Sequence, residues 1–105
     1  MTARIWHGWT TPENADAYEE LLRTMVFPSI ENKKIKGYRK ISLFRRAHKT
    51  DVEFITIMLF ENLNCVKDFA GDDYEKAYVP EEARRILKKF DKTSKHYEIK
   101  HEIIY

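Results

Sequence analysis

The run Glu53–Phe60 is apolar on both of its sides. Alternate side chains of an extended chain point to opposite faces, so Ile55, Ile57 and Leu59 share one face and Phe54, Thr56, Met58 and Phe60 the other. A strand with no polar side belongs inside a sheet that is covered twice. The run Ala3–Thr10 makes the same demand. It shows Ile5, His7 and Trp9 on one side and Arg4, Trp6, Gly8 and Thr10 on the other. Neither side is cleanly polar, and Gly8 either leaves room for a close approach to the backbone or marks a bulge.

The segments between these runs read as their cover. Thr11-Pro12-Glu13 is a helix start, with a hydroxyl cap, a proline in the first turn and an acid at the positive end of the dipole. Ala15, Tyr18, Leu21, Leu22, Met25 and Val26 follow at helical spacing. Pro28 is expected to kink or end that helix nearby, because it cannot donate to the carbonyl of Thr24. Tyr38–Arg46 reads as a second strand and Ala47–Asp51 as a polar turn. Asn62 caps a short helix carrying Leu63, Val66 and Phe69, with Gly71 as its stop. Asp72-Asp73 opens a further turn or two that presents Tyr74 and Tyr78. Pro80-Glu81-Glu82 opens a third helix with Ala83, Ile86, Leu87 and Phe90 inward. Lys95–Ile104 reads as the last strand.

The resulting order, β-α-β-β-α-β, predicts an α+β, ferredoxin-like fold: a four-stranded antiparallel sheet with helices on one face, forming a single domain over residues 1–105. The other sheet face then needs a partner. Four strands of six residues span about 400 Å², near the upper limit for an apolar patch on a soluble monomer. Phe54, Phe60 or Trp6 on that face would enlarge it. A homodimer closed about a two-fold axis is therefore expected. Any chamber between sheet and helices would be small and aromatic, a natural place for a small apolar or aromatic ligand.

Charge and cysteine usage narrow the function classes. Nineteen Lys and Arg against seventeen Asp and Glu leave a formal charge of +2, with the signs interspersed. That excludes a general nucleic-acid or membrane footprint. Lys33–Lys49 does hold eight basic residues and no acid, which suits an edge strand kept from aggregating by charge. RNA-recognition domains share the β-α-β-β-α-β order, but Glu53–Met58 lacks the glycine of their third-strand signature. The single Cys65 cannot form an internal disulfide, and no Cys/His cluster has zinc spacing. A reducing, cytoplasmic setting is expected, with no signal peptide before the first strand.

The candidate site residues follow from residue type. Histidine as a residue type changes charge near neutrality, which makes His7 a candidate general base. Tyr74 is a second catalytic candidate, able to orient a substrate hydroxyl. Trp6 and Trp9 offer flat surfaces for stacking a ligand. Phe69, Tyr74 and Tyr78 recur at five- and four-residue steps, so Phe69 and Tyr78 could wall a pocket from one helix side. His96 and His101 have opposite strand parity and are expected at the surface or an interface.

The stretches RIWHGWTTPENADAYEELL and FENLNCVKDFAGDDYEKAY, together with the order of elements, resemble the antibiotic-biosynthesis monooxygenase-like family. The resemblance covers nearly the whole chain. It implies a homodimer whose two sheets pack into a dimeric α/β barrel. It also implies cofactor-independent oxygenation of an aromatic or polyketide-type molecule, or a non-catalytic relative that binds a small ligand or serves assembly. The polyketide oxygenases of that family hold a phenol with an Asn, a Trp and a Tyr around the second helix. Cys65 stands at the Asn position, Phe69 at the Trp position and Tyr74 near the Tyr. In the haem-degrading members the first-strand Asn falls near His7. The haem-ligating His falls where this chain has Tyr78 and Val79, so haem is not implied.

Overall fold

The structure is a computed structural model that describes every residue from Met1 to Tyr105. Strand β1 (Thr2–Thr10) leads through a short 3-10 turn, Pro12–Asn14, into helix α1 (Ala15–Leu21). A π-helical segment, Leu22–Val26, joins α1 to α2 (Phe27–Asn32). Then come β2 (Tyr38–Ala47), β3 (Val52–Phe60), α3 (Leu63–Ala70), α4 (Glu81–Ile86) and the short strands β4 (Lys89–Phe90) and β5 (Lys95–Glu98). The sheet is antiparallel throughout, in the order β2-β3-β1, with β4 and β5 both pairing on the free side of β1. This is the α+β, ferredoxin-like arrangement expected from the sequence. The two runs without a polar side, β1 and β3, are its interior neighbours.

Register fixes which face each side chain takes. Gly8 stands opposite Phe54, Trp6 opposite Thr56 and Arg4 opposite Met58. These residues, with Phe60, face the helices, and Phe54 and Phe60 are fully buried there. Phe54, Phe60 and Trp6 therefore do not enlarge the open face. That face is built instead by Ile5, Ile55, Ile57 and Leu59, flanked by Phe44, His7 and Trp9. The four aliphatic side chains are only half-buried and Phe44 is exposed.

The helix face carries two packed groups. Ala15, Tyr18, Leu22, Val52, Phe54, Ala83 and Leu87 form one, and Ile30, Met58, Phe60, Cys65 and Val66 the other. The Tyr18 ring meets Phe54 edge-on, with centroids 4.9 Å apart, an arrangement that aromatic quadrupoles favour. The Asn62 side chain accepts from Cys65 N at 3.0 Å and so caps α3. Gly71 ends that helix at φ 86°. Gly37 turns the chain into β2 at φ 84°, and a Cβ there would collide with the buried Cys65 Sγ. Cys65 is thus a packing residue beneath a turn.

The helix is distorted just before Pro28 and ends soon after it, at Asn32, as the proline led us to expect: the backbone widens there, with Phe27 N donating to Leu22 O across five residues. Such single π turns are a recognised way for a helix to absorb a local misfit. Two expectations need correction. First, α4 stops at Ile86 rather than reaching Phe90. Leu87 is extended, Lys88 N donates to Trp9 O at 2.7 Å, and Phe90 pairs with Gly8 as part of β4. Backbone hydrogen bonds to the sheet outcompete a helical spacing that continued on paper. Second, the last strand spans Lys95–Glu98, extended only by Ile99 N donating to Met1 O. Ile103, Ile104 and Tyr105 beyond it are exposed. No helix is long and apolar enough to cross a membrane.

Candidate functional site: a small chamber over the sheet

Between the helices and the sheet lies a cavity of about 70 Å³. Its floor comes from β1, β3 and β2 through Arg4, Trp6, Thr56, Met58 and Ile41. Its roof comes from Tyr18, Leu22, Val26, Phe27 and Ile30, and its sides from Phe69, Tyr78, Val79, Pro80, Ala83 and Ser94. The lining is mostly apolar, with a few polar groups converging on it, which is the usual build of a small-molecule site. A cavity of about 150 Å³ holds benzene. A ring therefore enters only if the wall gives, and Tyr78, 61 % exposed, stands at the mouth.

Trp6 is held in this wall by its indole, whose Nε1 donates to Asp91 O at 2.7 Å. Gly8 makes that pose possible. A Cβ there would lie 2.7 Å from the tip of the Trp6 ring and 3.1 Å from Leu87 Cδ2. The β1–β3 register runs unbroken through Gly8, so the glycine marks a close approach and not a bulge. Sequence and structure are linked directly here: the two-residue alternation puts Trp6 and Gly8 on one face, and the missing side chain lets the indole lie along the strand.

The sequence candidates divide between the two faces. Trp6, Phe69 and Tyr78 line the chamber. His7 and Trp9 are on the opposite face, their rings stacked at 6.0 Å between centroids. Tyr74 lies outside the chamber, in an open trough of about 710 Å³ along β5. His7 and Tyr74 are therefore not brought together, and neither lines the chamber. Phe69 is on α3, whereas Tyr74 and Tyr78 are in the loop that follows it, so they do not share a helix side. His7 serves a different cluster. Its Nδ1 donates to Glu53 Oε2 at 2.9 Å, while His48 Nε2 donates to the other carboxylate oxygen at 2.8 Å. These bonds, His48 first, hold the Glu53 carboxyl below its ordinary range.

That cluster has a testable consequence for stability. A carboxyl whose pKa is lowered by folding stabilises the protein fully above its unfolded value and loses that contribution as pH falls through the folded value. Glu53→Gln is expected to cost about 1 kcal/mol at pH 7, a value kept low because the histidines are partly open to water. The gap from the wild type should close below about pH 4. Urea melts at several pH values measure it, and a gap that is constant with pH would contradict the assignment.

The chamber's principal charged group was missed from sequence. Arg4 is only 4 % exposed. Its Nη1 donates to Tyr74 O and, at 3.0 Å, to His96 Nε2, and its Nη2 donates to Lys76 O at 3.2 Å. Guanidinium only donates, so His96 accepts through Nε2 and is neutral in this pose. Burial, and then the Arg4 charge, push the His96 pKa down. His96 is thus half-buried, facing the open trough along β5 while supporting Arg4 from outside the chamber. Burial pulls the Arg4 pKa down to about 10, which still leaves it charged at neutral pH. The available signal was parity. A charged residue in an interior strand, on the same side as Trp6 and Gly8, had to have a buried purpose. Among other groups, burial pushes the Tyr18 hydroxyl up, and no cluster of three or more His, Cys, Asp or Glu side chains is placed to hold a metal.

No family model and no curated protein matches the sequence. Among solved structures, the chain is similar to one from Bacillus cereus described as a "putative antibiotic biosynthesis monooxygenase". The match has a TM-score of 0.68 and 11 % identity, and covers 100 % of this chain and 96 % of that one. Identity that low speaks for backbone arrangement alone: the chain shares the ferredoxin-like α+β fold of that structure.

Proposed function

We propose that the chain binds a small, flat, mostly apolar molecule in the chamber over the sheet and oxygenates it without a cofactor. The observation that carries the binding half is the cavity itself, where an aromatic wall of Trp6, Phe69 and Tyr78 meets the Arg4 cation. The reaction half takes its support from the fold likeness to a structure described as a "putative antibiotic biosynthesis monooxygenase". In such chemistry the substrate's anion supplies the electrons; one oxygen atom enters the substrate and the other leaves as water. The protein has to hold that anion and exclude bulk water, which makes a fixed cation the most useful group it can offer. His7 has no part in this, because the sheet separates it from the chamber.

The open sheet face supports a further part of the proposal, a homodimer. Ile5, Ile55, Ile57 and Leu59 form a contiguous apolar surface with nothing over it in one copy. A second copy rotated by two-fold symmetry presents the same surface, and each would cover the other.

One observation favours a second reading, a dimer that binds or assembles without catalysis. No carboxylate or histidine lines the chamber, so the substrate would have to arrive already ionised or ionise against Arg4. Oxygen uptake decides between the two. Hydroxylated aromatic compounds, supplied without flavin or metal, are expected to give uptake that Arg4→Lys lowers about a hundredfold and that His7→Ala leaves unchanged. No uptake with any such compound would leave the non-catalytic reading in place. Loss of uptake on His7→Ala would place the chemistry on the wrong face.

A further inference from the structure

The Arg4 side chain has an unusual set of partners for a buried cation. It receives two backbone carbonyls and one neutral imidazole. None of the ion pairs in the protein includes it. Two of its five N–H bonds, the one on Nε and one of the two on Nη2, have no acceptor in the protein. A buried charge is ordinarily compensated by one of opposite sign. Here no carboxylate pairs with the guanidinium, although Glu75 is close enough to act on His96, and Arg4 lines the chamber.

A second cation stands outside the chamber, against two of its lining rings. Lys33 Nζ lies 4.9 Å from the centre of the Phe69 ring and 5.3 Å from that of Tyr78. Arg4 Cζ lies 5.6 Å from the same Phe69 ring. Phe69 thus has one cation deep in the chamber and another at the outer rim, where Tyr78 stands. Asp73 also borders the outer trough, so the rim is not uniformly positive. Inside, the charge is: Arg4 is the one charged side chain among the lining residues. A cleft with low-dielectric walls and a single sign of charge concentrates ions of the other sign.

We infer that the chamber selects an organic anion, an acid with a compact apolar body, whose charged oxygens sit on the free N–H groups of Arg4 after passing Lys33. The inference rests on the reading that this chamber is the binding site, and it adds the charge of the ligand. Guanidinium donors match a carboxylate or an ionised enol in geometry as well as charge. The apolar body would lie against Trp6, Phe69 and Met58. An alternative role for Arg4 is as a tie for the loop after α3, through the carbonyls of Tyr74 and Lys76. A tie would not care about the ligand's charge.

The test uses the full chain and three probes: benzoate, its neutral isostere benzamide, and acetate. Binding is followed by calorimetry and by the Arg4 Nε–H resonance. Benzoate is expected to bind about tenfold or more tightly than benzamide and to shift the Arg4 Nε–H signal. Arg4→Lys keeps the charge but loses the planar fork, and should weaken benzoate about tenfold. Lys33→Gln should slow benzoate association at low salt without changing benzamide. If Arg4→Lys fails to fold, the wild-type comparison of acid and amide still decides. Equal binding of benzoate and benzamide overturns the anion inference and leaves the chamber as a site. Binding of acetate without benzoate upholds the anion and overturns the aromatic ligand. No binding of any probe overturns both.

Discussion

Phe54→Ala is expected to destabilise the folded chain by about 3–5 kcal/mol. Phe54 has no exposed surface, meets Tyr18 edge-on and lies in the group that joins α1, α4 and the sheet. Helices and sheet would be left facing a void that the surrounding side chains can fill only in part. Domains of this size are stable by about 5–15 kcal/mol, so the loss is a large share of the total. It corresponds to a fall in Tm of about 12–40 °C, at about 4–8 °C per kcal/mol. Urea and thermal melts of the variant measure it. A loss near that of an ordinary surface substitution, about 0.5 kcal/mol, would mean that Phe54 does not face the helices.

Ile57→Asp is expected to do the reverse, with a large effect on assembly and a small one on the fold of each copy. Ile57 stands on the open face with Ile5 on one side and Ser42 on the other. In the proposed homodimer this patch is buried. A carboxylate placed there without a partner costs about 3 kcal/mol or more, and two-fold symmetry places a second like charge on the facing surface. The variant should sediment as a 12.6 kDa particle while the wild type sediments as twice that, and the variant's melting should no longer depend on protein concentration. A wild type that is itself monomeric at working concentrations would remove the homodimer from the account. The two substitutions are three residues apart in one strand, and their contrasting outcomes follow from a two-residue alternation alone.

That alternation explains what the sequence revealed and what it withheld. The pairing of β1 with β3 was legible because neither run has a polar side. The capping of α3 by Asn62 was legible because a side-chain oxygen at that position can satisfy a free amide. Alternation also sorts residues into two sets correctly. It does not say which set meets the helices, because that depends on how the crossover connections wind. Phe54, Phe60 and Trp6 were therefore available for either face, and His7 for the chamber or its opposite. The extent of α4 failed for another reason. Leu87 and Phe90 fit a helical spacing, but the sheet edge at Trp9 offered the Lys88 amide a partner. Long-range hydrogen bonds of that kind leave no local trace.

The candidate site shows the same limit more sharply. Trp6, Phe69 and Tyr78 could be named from residue type and line one chamber. Arg4 could be named only by asking why a cation occupies an interior strand, and Lys33 only once Phe69 and Tyr78 are seen beneath it. Both are chemistry brought together by the fold. Arg4 touches the loop at Tyr74 and Lys76, some seventy residues away.

The central claim is a division of labour: the helix face of the sheet takes the ligand and the open face takes a second copy. The two tryptophans report on it separately, since the Trp6 indole is in the chamber wall and Trp9 is on the open face. The measurement is a titration of the protein with benzoate, followed by dilution, watching both indole N–H resonances. The account predicts that benzoate moves Trp6 and leaves Trp9 in place, whereas dilution through dissociation moves Trp9 and leaves Trp6. Benzoate moving Trp9 alone, with Trp6 unchanged, would contradict it.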